Sequence, residues 1–181
     1  MQTDKNIARL VGLLLLTAYS IVGSNNPQAR ILGMLLEIIS GLSVIGIALL
    51  IYPYLKPAGT QTARWYLGLK ILEGIISMIA GVLFAIHQPT LLALRTQLYQ
   101  LHAYVFAVPA LLFYYLLYQT RLVPTWLAIW GMLAAVLLIV ANMLKVADIM
   151  QTIDLLYLPI VMNEFVLALW LLVKGFRKPA G

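Results

Sequence analysis

The sequence predicts an all-α fold, a polytopic transmembrane bundle of six spans with both termini in the cytoplasm. Three observations carry this expectation. Of 181 residues, 63% are hydrophobic and 10% charged, where soluble domains run at about 45–50% and about 25%. The apolar residues fall in long runs near the ~20 residues a helix needs to cross a bilayer. Most of the twelve Lys and Arg lie singly at or beyond the ends of those runs.

Apolar runs bounded by Pro, Gly and charge place the spans at about 7–23, 31–55, 63–87, 98–118, 125–144 and 152–173. The first follows Lys5 and Arg9. Its run Leu13–Leu16, with small residues at Ser20–Ser24, also reads as a cleavable signal peptide. The second is set off by Asn25-Asn26-Pro27 and ends at Lys56-Pro57, and the third runs from there to His87. The third connection, 88–97, is the longest. Leu91, Leu94 and Leu98 share one helical face with Arg95 opposite, which predicts a short helix lying in the interface. Pro124 opens the fifth span, and 145–151 leads to the sixth. No shift in composition marks a second unit, so residues 1–181 read as a single transmembrane domain.

Loop charge sets the orientation. Lys5, Arg9, Lys56, Arg64, Lys70, Arg121, Lys174, Arg177 and Lys178 fall on the side of the termini, against Arg30, Arg95 and Lys145 opposite. Nine against three puts both termini inside and points to a multi-pass protein of the cell membrane. Trp65, Trp126 and Tyr118 near the inner helix ends fit an aromatic belt.

Several chemistries drop out. Without cysteine there are no disulfides, thiolate metal sites or cysteine nucleophiles. Scattered basic residues without aromatic interleaving or a Gly-rich phosphate loop argue against nucleic acid. His87 and His102 lie near one boundary on consecutive spans, but neither sits in a helix-spaced ligand motif, so no metal and no cofactor is expected. Neither a zinc motif nor an activated serine appears, which argues against an enzyme.

The informative residues are the ionisable ones inside spans, each costing at least ~2.5–3.5 kcal/mol at mid-membrane on insertion scales. They are Glu37, Lys70, Glu73 and Glu164, with Asn163 beside the last. At ~1.5 Å rise per residue, Glu37 falls roughly 10 Å inside the outer boundary, and Glu73 and Glu164 near the middle. His102 reaches their upper edge. Lys70 and Glu73, spaced i, i+3, share a face and can pair. Glu37 and Glu164 have no cation in their own helices, so either they carry a proton or they line a wet cavity. Gly33, Glu37 and Gly41 form one thin stripe with Ser40 adjacent. This polar set has two readings: an acid-lined pocket opening outward, or a buried network that only fixes helix register. Ser77 with Gly81, and Gly131 with Ala135, are small-xxx-small pairs suited to close packing. Pro109 and Pro159 are expected inside spans, as kinks.

The chain also resembles a bacterial membrane family catalogued as domain of unknown function 4386. The residues that carry the likeness are Ala8-Arg9-Leu10-Val11-Gly12, Tyr52-Pro53-Tyr54-Leu55-Lys56-Pro57, Arg121-Leu122-Val123-Pro124-Thr125-Trp126-Leu127, Pro159 to Glu164, and Leu169 to Phe176. In that family helix three tends to carry an arginine three residues before a glutamate. Here the position holds Lys70, which keeps the charge but loses the guanidinium fork. The resemblance implies a six-helix integral membrane protein that retains helix one, and it brings no activity with it.

Together these readings predict a small transporter-like or ligand-binding protein of the bilayer, with a protonatable site of Glu37, Glu73 and Glu164. Lys70 is its counter-charge, and Asn163 and His102 supply polar contacts. Six helices without an inverted repeat are few for a lone carrier, so a homodimer is the expected assembly. The alternatives are a non-transporting accessory subunit and, third, an enzyme acting on a lipid or isoprenoid.

Overall fold

A computed structural model describes residues 2–147 and 154–177. The expected link at 145–151, the start of the sixth span at 152 and the charge at Lys178 lie wholly or partly outside the described residues. Six α-helices follow one another: α1 Gln2–Ala18, α2 Arg30–Leu55, α3 Thr60–Ile86, α4 Pro89–Thr120, α5 Thr125–Val146 and α6 Asp154–Val173. Short 3-10 turns at Tyr19–Gly23 and Lys56–Ala58 extend α1 and follow α2. No strand occurs among the described residues. All six are long and apolar enough to cross a membrane, and the protein is a multi-pass membrane protein.

Each helix packs on its neighbours in sequence, and α6 returns to α1. Among the described residues α2 and α4 make the one brief helix–helix contact across the middle. The six helices therefore form a closed ring. Small residues draw its members together, since lipid gives helices no hydrophobic reason to associate. A Cβ at Gly41 of α2 would stand 2.5 Å from the Gly74 carbonyl of α3, and one at Gly74 would stand 2.6 Å from the Gly41 carbonyl. The α1–α6 seam depends on Gly12, where a Cβ would meet the Ala168 carbonyl at 2.8 Å. The expected small pairs act likewise: Gly81 faces Glu37 and Met34 of α2, and Gly131 lies against the Tyr114 ring of α4.

The start of α1 meets the end of α2 through Tyr54, whose hydroxyl donates to Asp4 at 2.8 Å. Arg177 N–H donates to the Leu122 carbonyl at 2.7 Å, so both described ends of the chain lie at one end of the bundle. Trp65, Trp126 and Tyr118 are exposed.

One expected element takes a different form. Residues 88–97 are not a separate interfacial helix; from Pro89 onward they are the first turns of α4, which runs unbroken for 32 residues. His87 closes α3 in the left-handed conformation (φ 56°), and Gln88 is extended. Pro89 then sits in the first turn, where its missing N–H costs nothing. No breaker follows until Pro109, so the helix simply continues. Pro109 and Pro159 fall inside α4 and α6.

Candidate functional site

The ring encloses a cavity of about 390 Å³ to which all six helices contribute. Its floor is apolar and aromatic, with Leu15, Ile47, Tyr66, Ala110 and Phe113 all buried. Val22 and Lys145, both exposed, belong to its wall at the end away from the termini, so the cavity reaches the surface there. Tyr157 and Tyr99 flank that mouth.

The buried charged groups come from two helices, α3 and α6. On α3, Tyr66, Lys70, Glu73 and Ser77 recur at helical spacing and form one inward stripe. Lys70 Nζ stands 2.9 Å from Glu73 Oε2 and 3.2 Å from Oε1, and 4.9 Å over the Phe106 ring. The i, i+3 spacing thus gives the expected pair, almost wholly buried. From α6, Glu164 faces the same cavity and accepts a 2.8 Å hydrogen bond from the Tyr19 hydroxyl. Tyr19 itself packs against Phe165, the rings tilted by 30° with centroids 4.8 Å apart. His102 lines the wall, its ring parallel to Phe106 at 6.5 Å and tilted against Tyr99 at 6.2 Å.

Two expected members stand elsewhere. Glu37 is fully buried as its stripe with Gly33, Ser40 and Gly41 requires, but it lies behind the cavity wall. Its carboxylate accepts a 2.6 Å bond from Arg95 of α4. Neither a proton nor a wet cavity is needed to explain it, because the cation comes from another helix. The guanidinium also donates to the Asn25 side chain (2.7 Å) and the Tyr99 hydroxyl (3.3 Å), and lies over the Phe84 and Tyr99 rings at 4.4 and 4.7 Å. Asn163 is also fully buried, yet its amide donates to the Leu127 carbonyl of α5 at 3.0 Å. Adjacent helical residues point about 100° apart, so Glu164 facing the cavity turns Asn163 away.

Sequence reasoning passed over Tyr19, Tyr66, Arg95 and Tyr99. Tyr66 carried a legible signal, lying one turn before Lys70 on the face that bears Glu73. Arg95 has one too, as the cation opposite a leucine face, but a short helix lying in the interface would keep it out of the bundle. Tyr19 had none: its partner is 145 residues away. His87 is exposed at the end of α3. No group of three His, Asp or Glu able to hold a metal occurs among the described residues.

A closed six-helix membrane ring with an internal cavity bearing charged side chains is the class that the fold and this geometry define. A family model described as domain of unknown function (DUF4386) matches residues 14–91 and 83–175, and the chain belongs to that family. No curated protein and no solved structure matches the chain.

Proposed function

We propose that this is a ligand-binding membrane protein of transporter-like build, with Lys70, Glu73 and Glu164 as the charged centre of its binding cavity. The observation behind this reading is that carboxylates from α3 and α6 face one cavity at the heart of a closed ring. Ionisable side chains inside a membrane are costly unless they serve a pathway or a site. A concave, largely apolar space with a few convergent polar groups is the usual form of a small-molecule site. His102 and Tyr66 are further wall contacts, and Glu37 with Arg95 braces the wall behind them. The nine-to-three excess of Lys and Arg on the side of the termini supports a cytoplasmic location for both, in the plasma membrane, with the mouth outward.

The test is a thermal-shift screen of the purified chain in detergent against small molecules across pH. At least one compound is expected to raise the wild-type melting temperature, and Glu73→Gln and Glu164→Gln are expected to remove that shift while still melting cooperatively. A screen in which nothing shifts the wild type would leave the accessory-subunit reading in its place.

A further inference from the structure

We propose that the ligand of this cavity is a small organic cation, a protonated or quaternary amine on an apolar body; this rests on the reading of the cavity as a ligand site. The first ground is the charge balance of the wall. Lys70 is already committed to Glu73 at 2.9 Å. Arg95 is committed to Glu37 at 2.6 Å. Glu164 has the neutral Tyr19 hydroxyl and no cation within salt-bridge distance among the described residues. With both carboxylates ionised, the buried part of the wall holds Glu73 and Glu164 against Lys70 alone, since the other lysine of the lining, Lys145, is exposed at the mouth. A buried carboxylate in that position takes a proton or a cation.

The second ground is the set of rings in the same cavity. Tyr19, Tyr66, Tyr99, Phe106, Phe113 and Tyr157 all line the cavity. The negative faces of aromatic rings, joined to a carboxylate, form the environment that holds ammonium groups. Lys70 over Phe106 at 4.9 Å is an instance already present in this wall. A third ground is Tyr66 itself. It is fully buried in the cavity wall, and its hydroxyl has no hydrogen-bond partner among the described residues. A buried hydroxyl left over is a group for a ligand to satisfy.

Other ligand classes fit less well. A divalent metal needs several oxygen or nitrogen donors to replace its water, and the cavity offers one spare carboxylate. An anion would meet, in the buried part of the cavity, a lysine already paired with Glu73 and a second carboxylate at Glu164. A neutral apolar molecule would fill the space but leave Glu164 without a counter-charge. Space is ample, since one water occupies only ~10–15 Å³ on this measure. Lys145 at the mouth opposes a cation, but it is exposed, where salt screens it.

The experiment is calorimetric titration of the full chain in detergent with benzyltrimethylammonium and with neopentylbenzene, its uncharged carbon isostere. The ammonium is expected to bind the wild type about tenfold more tightly or better, the scale of a desolvated cation–π contact plus a counter-charge. Glu164→Gln should erase that preference. Equal wild-type affinity for the two compounds overturns the cation assignment while leaving a ligand cavity standing. If neither binds and the wider screen is also blank, the ligand-site reading falls with it. The wild-type comparison does not depend on any variant folding.

Discussion

Arg95 and Glu37 are 58 residues apart in the chain and joined by a 2.6 Å ion pair between α4 and α2. Glu37 is fully buried, and the guanidinium is held between the Phe84 and Tyr99 rings. A buried pair broken from one side leaves a charge without a partner, which costs ~3–5 kcal/mol. Arg95→Met should therefore destabilise the protein by about that amount. Arg95→Lys should recover only part, because an ammonium lacks the planar face that stacks on both rings. The double variant Arg95→Met with Glu37→Leu should melt well above Arg95→Met alone. Thermal unfolding in one detergent measures all four proteins, and an Arg95→Met protein as stable as wild type would refute the pairing.

The pair within α3 behaves by the same rule but is local. Lys70→Met leaves Glu73 buried without its cation, and a loss of ~3–5 kcal/mol is expected. Lys70→Met with Glu73→Gln should regain most of it, since both charges go together. Lys70→Arg, which keeps the positive charge beside Glu73, should be close to neutral. The double-mutant cycle gives the coupling energy directly, and simple additivity of the two single losses would count against a shared pair.

Glycines at the α2–α3 crossing give a prediction with opposite signs at two sites. A Cβ at Gly74 would reach within 2.6 Å of both the Gly41 carbonyl and the Ile45 side chain. Backbone cannot move aside cheaply, so Gly74→Ala should destabilise by ~1–3 kcal/mol, as overpacking does. Gly68, in the same helix, has nothing within 4 Å of its Cβ position and is exposed. Gly68→Ala should be neutral or stabilising by up to ~1 kcal/mol. Melting temperatures of the two single variants decide it. Equal effects would mean that the helices do not cross at Gly41 and Gly74.

These sites mark what the sequence discloses and what it hides. Apolar run length is a one-dimensional property, so six helices long and apolar enough to cross a membrane can be read directly from the chain. Lys70–Glu73 was legible because both residues lie on one helix, where spacing fixes their direction. The Gly33–Glu37–Gly41 stripe was legible as an inward face for the same reason. Contacts between helices were not. Glu37's cation and Glu164's hydroxyl come from positions 95 and 19, and no spacing within a helix encodes such a meeting. The long α4 was missed for a related reason. Arg95, Thr96 and Gln97 interrupt the apolar run but do not interrupt a helix, and a hydropathy reading starts the span after them, at 98. Asn163 was drawn into the site by adjacency to Glu164, although adjacent helical positions face different neighbours.

That last difference yields a separation of roles on α6. Glu164 lines the cavity, while Asn163 bonds the Leu127 carbonyl on α5. Asn163→Ala removes one hydrogen bond between helices, a kind of bond averaging ~0.6 kcal/mol within membranes. It should lower the melting temperature slightly and leave any ligand-induced shift at its wild-type size. Tyr19→Phe should do the reverse. It withdraws the hydroxyl that donates to Glu164 at 2.8 Å and keeps the ring that packs against Phe165. Stability should change little, while the ligand-induced shift changes because the carboxylate has lost its one neutral donor. Parallel melting curves with and without a compound found to shift the wild type compare the two variants. A reduced shift in Asn163→Ala together with an unchanged one in Tyr19→Phe would place the binding surface on the α5 side of α6, away from the cavity.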